Sequence, residues 1–227
     1  MRNGMRWTVV ALAALVGLGT TQAASAQDLA DFDYENLSFR GFGPEWGYLV
    51  PTRVEATHSY GVRFDLGYLG PGVRIVPSVM YWSSPLKASE VRELEASVEQ
   101  LIDQQIDGPS PSVNLGTIEW TDVAVGLDAH VVWRVPFGIL TYAGLGGAIH
   151  VLNGKGAAIN GTFVEDLLDS LEPGMNLHLG AEYLLSDRLR FSSQGRYEVL
   201  GDLQYFQVRA GLQFMVGASH PGEVGGS

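Results

Sequence analysis

The chain has 227 residues, a formal charge of −11 and no cysteine. Disulfides and thiolate metal sites are thereby excluded. Binding to nucleic acid, which runs on Lys and Arg neutralising phosphates, is disfavoured. Charged residues make up only 17 %, against the roughly 25–35 % of a soluble surface, which suits an outer wall that faces lipid.

The first element in chain order is a leader. Arg2 and Arg6 precede an apolar run from about Trp7 to Leu18, and Ala24-Ser25-Ala26 precedes Gln27. A charged start, a short apolar stretch and an A-x-A site predict a secretory signal peptide over 1–26. The run is too short for a spanning helix, which needs about 20 residues. No later stretch reaches that length. The expected organisation is a lead-in over 27–37, a single barrel domain over 38–217 and a flexible tail over 218–227.

Period-two alternation then recurs eight times. Strands are predicted at about 38–50, 58–69, 72–84, 117–134 and 138–151, and three more lie between Asn176 and Val216. The first is the weakest, because Pro44 and three glycines interrupt it. The second places Val62, Phe64, Leu66 and Tyr68 on one face, and the fourth places Val123, Val125, Leu127, Val131 and Trp133 there. In the last, Phe206, Val208, Ala210, Leu212, Phe214 and Val216 oppose Tyr205, Gln207, Arg209, Gly211, Gln213 and Met215. An even number of strands about ten residues long is what a tilted membrane barrel requires.

Short and long connections alternate, as in membrane barrels. Gly70-Pro71, Val135-Pro136-Phe137 and Ser186-Asp187-Arg188 are the tight turns, and 51–57, 85–116 and 152–174 are the long loops. Gly201-Asp202 is short on the long side. Two loops carry helix signatures. Val91, Leu94, Val98, Leu101, Ile102 and Ile106 keep helical spacing, with Gly108-Pro109 as the stop. Thr162 with Glu165 forms a capping-box pattern, with Leu167, Leu168 and Leu171 following and Pro173-Gly174 as its stop.

These turns fix a register. Leu200 is expected opposite Leu203, Gln194 opposite Arg209, His178 opposite Arg196, His130 opposite Tyr142, and Gly67 opposite Arg74. Aromatic residues gather near both ends of the apolar face, with Tyr81, Tyr197 and Phe206 at one and Tyr68, Trp133, Phe137, Tyr183 and Phe214 at the other. Two such girdles mark a lipid-facing wall. The expected fold is all-β, an eight-stranded antiparallel transmembrane β-barrel with two short helices in long external loops.

The polar face is then the lumen. It carries Arg63, Asp65, Arg74, Asp128, Glu182, Arg190, Arg196, Glu198 and Arg209, with Asp65 diagonal to Arg74 and Glu182 diagonal to Arg190. Buried charge is costly unless paired, so the expected role is a salt-bridge network that fills the lumen. A sharper alternative is an acyl hydrolase or transferase acting on lipid. Asp122 falls opposite His150, and Ser83 and Ser84 end the neighbouring strand, the three groups that nucleophilic attack on an ester needs. No nucleophile motif surrounds Trp82-Ser83-Ser84-Pro85, so no catalytic residue is assigned. His58, His130, His150 and His178 show no metal-ligand spacing, and neither metal nor cofactor is expected. Gly144-Leu145-Gly146-Gly147 lies within a strand, which rules out a phosphate loop.

Arg209-Ala-Gly211-Leu-Gln-Phe214-Met-Val216 resembles the polar-x-Gly-x-x-apolar-x-apolar signal that ends outer-membrane barrel proteins. With the leader and eight strands, the chain resembles small barrels of the OmpA/OmpX/OmpW type over about 38–217. The resemblance implies export to the bacterial outer membrane and reading of Gly211, Phe214 and Val216 by the assembly machinery. It also implies contact with outer-membrane lipid as a monomer, in a structural, surface-interaction or minor transport role. A periplasmic ligand-binding barrel is the remaining alternative.

Overall fold

The computed structural model describes residues 33–104 and 112–216. The leader, most of the lead-in, the end of the first loop helix with its Gly108-Pro109 stop, and the tail lie outside the described residues. Nine strands form one antiparallel sheet: β1 (Gly41–Pro51), β2 (Thr57–Asp65), β3 (Tyr68–Gly70), β4 (Val73–Pro85), β5 (Glu119–Val135), β6 (Ile139–Lys155), β7 (Ser170–Ser186), β8 (Leu189–Leu200) and β9 (Leu203–Met215). β1 pairs with β2 and β9, and β2 pairs with β4, so the sheet closes on itself. β2 and β3 are one stave interrupted by a bulge, and the closed barrel has eight staves. Closure leaves no sheet edge unpaired.

The alternation read from the sequence orients the wall. Val125, Leu145, Leu179 and Val208 are exposed on the outside, while Arg63, Arg74, Glu182 and Arg209 are buried within. A soluble ligand-binding barrel would have the opposite arrangement. β1 alternates without a break through all 11 residues, despite the glycines and Pro44 that weaken its sequence pattern. No described helix is long and apolar enough to cross a membrane, which leaves crossing by strands untouched.

Three turns differ from expectation. The first is Pro71-Gly72, with Gly70 paired to Val73. Gly72 has φ 71°, and Pro followed by a positive-φ Gly is the pattern of a type II turn. Gly67 does not face Arg74; Tyr68 does. Leu66 N donates to Ile75 O while Ile75 N donates to Gly67 O, so two residues oppose one in a bulge. Gly67 takes φ 74° there. The bulge absorbs one residue and a second register shift between Tyr68 and Gly70 absorbs another, so Arg63 still pairs with Ser78. The second turn is Pro136-Phe137-Gly138, with φ 70° and 72° at its last two residues. It pairs Val135 with Ile139 and puts His130 opposite Gly144, not Tyr142. The slip is by two residues, so every side chain keeps its face. The third turn closes on Asp187-Arg188, with Ser186 opposite Leu189. Leu200 with Leu203, Gln194 with Arg209, and His178 with Arg196 pair as expected.

Two helices lie in the long loops: α1 (Ala88–Asp103) and α2 (Phe163–Leu168). α1 buries Val98 and half-buries Val91, Leu94 and Ile102, while Leu101 stays exposed. α2 is capped by the two residues its sequence suggests, but each bond falls one residue away from the capping-box pattern. Thr162 Oγ1 accepts from Val164 N, and Glu165 Oε2 accepts from Gly161 N at 2.6 Å. Pro173-Gly174 does not end this helix; both residues belong to β7, paired with Ile149 and Ala148. Pro173 sits beyond the last β8 partner, where no ladder donor is required of it.

The apolar core sits at the loop end, in the mouth of the barrel. Inward residues Leu49, Trp82, Leu152, Leu200 and Leu203 pack there against Val54, Leu86, Ile118, Ile159, Val98 and Val164 from the loops and helices. The lower interior is polar.

Candidate functional site

Nearest the tight turns the interior is organised around Glu182 of β7. Arg74 of β4 forks onto it, with Nη2 2.6 Å from Oε1 and Nη1 2.8 Å from Oε2. Arg63 of β2 donates at 3.1 Å and Arg190 of β8 at 2.9 Å. Three guanidiniums thus converge on one carboxylate, and the bidentate pair is the strong form of such a contact. Asp65 accepts from Gln213 Nε2 at 3.2 Å and from Gly67 N at 2.8 Å, with Arg74 Nη1 at 3.5 Å. Glu45 lies 3.2 Å from Arg209 and 3.6 Å from Arg63. Tyr142 lies beneath Arg63 and Arg74, and the His130 ring stacks on it at 4.3 Å.

The middle of the interior is a second cluster. Arg196 bridges Asp128 at 2.8 Å and Glu198 at 2.6 Å. Asn176 Nδ2 donates to Asp128 and its Oδ1 meets His178 Nδ1 at 2.7 Å. Glycines of β6 make room for this meeting of β5 with β7. A Cβ on Gly146 would fall on the Asp128 carboxylate and within 2.5 Å of Asn176 Nδ2, and one on Gly144 would fall on the His178 ring. The cluster does bring metal-ligating groups together, since Asp128, His130 and His178 offer atoms within 4.8 Å of one another. Asp128 and His130 are neighbours on the inward face of β5, but the third group, His178, comes from β7, so sequence spacing did not reveal the cluster. The hydrogen bonds disfavour a cation. Arg74 only donates, so His130 Nδ1, 3.2 Å away, accepts and the proton lies on Nε2. That nitrogen has no lone pair for a metal, and Arg196 and Asn176 already engage Asp128.

Higher still, at the base of the mouth, His150 lies between Asp122 and Glu198, at 2.8 and 3.5 Å. All three are buried. Trp82 and Tyr205, their rings edge to face at 6.5 Å, begin the apolar core above.

No family model matches the chain, and no curated protein matches it. Solved structures do. Neisserial surface protein A aligns over 78 % of this chain and 97 % of its own, with 8 % identity and a TM-score of 0.52. A major outer membrane protein of Thermus thermophilus aligns over 78 % and 99 %, with 10 % identity and a TM-score of 0.49. The N-terminal β-barrel domain of Pseudomonas aeruginosa OprF aligns over 78 % and 97 %, with 12 % identity and a TM-score of 0.47. The chain has the fold of the small eight-stranded outer-membrane barrels. Identities this low speak to fold alone.

All nine charged residues expected in the lumen of this outer-membrane-type barrel point inward. Asp65 meets Arg74 and Glu182 meets Arg190 across the expected diagonals. The network has members beyond the nine expected charges: Glu45, Tyr142, Asn176, His178, Gln194 and Gln213. Their inward parity on strands already recognised was the available signal. The Ser83, Asp122 and His150 grouping is not assembled. Asp122 faces Leu152, not His150, in the ladder, although both side chains turn inward and meet. Ser83 faces outward, bonded to Glu119 and Thr121, and Ser84 Oγ donates to Glu55 O. Among the described residues no serine hydroxyl serves His150; a second carboxylate occupies its other side. Gly211 and Phe214 lie on β9 beside β1, with Phe214 and Val216 exposed on the outer wall.

Proposed function

We propose that this protein is a non-enzymatic resident of the bacterial outer membrane, exported with removal of residues 1–26, whose closed barrel presents its long loops at the cell surface. The observation that carries this reading is a double closure. Paired charges fill the lower interior, and an apolar core of strand and loop side chains seals the mouth. Continuous water along such a lumen would require both layers to open, so a surface-interaction or structural role is favoured over transport. An eight-stranded barrel is in any case only wide enough for side chains to fill. The exposed wall of Val, Leu and aromatic side chains supports lipid as its surroundings. Both chain ends lie with the tight turns on the periplasmic side in this reading. Gly211, Phe214 and Val216 serve as the recognition segment for assembly, and the barrel acts as a monomer that does not bind nucleic acid.

Purified barrel reconstituted into planar bilayers tests the closure. The expected record is free of discrete conductance steps. Steady ohmic steps from the unmodified protein would overturn the reading and favour transport.

A further inference from the structure

Both ring nitrogens of His150 face carboxylate oxygens, Nδ1 towards Asp122 Oδ2 at 2.8 Å and Nε2 towards Glu198 Oε1 at 3.5 Å. An ionised carboxylate only accepts, and a neutral imidazole has one N–H to give. A neutral His150 would therefore present a lone pair to a buried anion. Asp122 has no arginine partner among the described residues; His150 is its hydrogen-bond partner. The wider charge balance agrees. The interior holds five arginines, Arg63, Arg74, Arg190, Arg196 and Arg209, against the six carboxylates of Glu45, Asp65, Asp122, Asp128, Glu182 and Glu198. One positive charge is missing, and a buried carboxylate without a counter-charge is strongly disfavoured. His130 cannot supply it, because its Nδ1 must accept from Arg74.

We propose that His150 is an imidazolium that clamps Asp122 to Glu198 beneath the mouth, and that loss of its charge releases the clamp and loosens the apolar cap. The connection to the cap is direct. Trp82 is the ladder partner of Asp122 and Tyr205 that of Glu198, and both rings belong to the mouth core. The groups around the ring are Asp122 from β5, Glu198 and Arg196 from β8, and Tyr205 from β9. Glu172, the ladder partner on β7, turns its carboxylate towards Gly201. A small cavity lined by Ser78, Met80, His150, Arg196, Glu198 and Arg209 lies beside the ring. The clamp deepens the closed-mouth reading, but the charge on His150 stands apart from it.

Two measurements test the proposal separately. In nitrogen-15 histidine NMR of the folded barrel, His150 should carry protons on both ring nitrogens at neutral pH, and the same spectra define the pH interval in which it loses one. A singly protonated His150 at neutral pH would overturn the assignment and place the proton on a carboxylate. The cap is followed by maleimide labelling of Ile159→Cys, a fully buried loop position, relative to Gly161→Cys, a position exposed in the same loop. The rate ratio should rise at least about tenfold over the pH interval in which the ring titrates, as local opening admits the reagent. It should stay flat when His150→Gln is added. A flat ratio in the protein with His150 intact would refute the clamp. If His150→Gln fails to fold, Asp122→Asn serves instead. Removing one carboxylate should move the step to lower pH, and an unmoved step would also refute the clamp.

Discussion

Replacing Glu182 by Gln should expose how much the interior depends on one carboxylate. The side chain keeps its size, so packing is preserved while the charge is lost. Glu182 accepts four hydrogen bonds from Arg63, Arg74 and Arg190. Each bond to a charged group is worth about 1.5–3 kcal/mol in isolation, but bonds in one network do not add. After the change, three arginines share Asp65 and part of Glu45. Removing one partner of a buried pair typically costs about 3–5 kcal/mol, and a loss of about 4 kcal/mol is expected here. The assay is reversible denaturant unfolding from lipid vesicles, followed by tryptophan fluorescence. In double-mutant cycles, Arg74 should couple to Glu182 more strongly than Arg190 does. Arg74 is bidentate with 1 % side-chain exposure, whereas Arg190 makes one contact at 12 %. A loss below about 1 kcal/mol, the level of an exposed ion pair, would refute the argument that this cluster is dry and interdependent.

Gly146→Val should prevent folding of the barrel or destabilise it by more than about 3 kcal/mol, because even a Cβ there falls on Asp128; wild-type vesicle stability would contradict the packing described. For topology, Gln104→Cys and Gly161→Cys should react with an impermeant maleimide on intact cells, and Asp187→Cys only after permeabilisation. The reverse pattern would invert the barrel. Phe214→Ala should slow assembly in cells while leaving unfolding in vesicles changed by only the area lost, roughly 1.5–3 kcal/mol at most; unchanged assembly would remove Phe214 from the recognition segment.

Much of this architecture is written in period-two alternation, since a strand with one apolar outer wall and one wall in a charged lumen has no freedom to slip by one residue. That is why Glu182 with Arg190 and Asp65 with Arg74 pair correctly from the sequence alone. What alternation leaves out is conformational detail at turns. Nothing in composition announces that Phe137 takes a positive φ, yet that single choice moves β5 by two residues against β6. Glu45 escaped notice because Pro44 and glycines mask a strand whose inward face is mostly backbone. The mouth escaped for a different reason. Leu49, Leu152, Leu200 and Leu203 alternate correctly, but alternation assigns a face and not a partner. Their partners, Val98, Ile159 and Val164, arrive from loops distant in sequence. Pro173-Gly174 reads as a helix stop by local rules, and only the missing β8 neighbour of Pro173 makes that proline acceptable in a strand.

The distances in sequence between Glu182 and its partners have a kinetic consequence. Arg74 lies 108 residues away and Arg63 119, and both come into range only as the sheet curls and β1 meets β9 to close the barrel. Until that last seam zips, these guanidiniums remain solvated and gain nothing from one another. The network is therefore expected to form on the native side of the barrier, after the rate-limiting step. Substitutions within it should accelerate unfolding and leave the rate of insertion and folding almost unchanged. The charges in the lumen thus act as a latch on a completed structure, lengthening its lifetime without guiding the path to it.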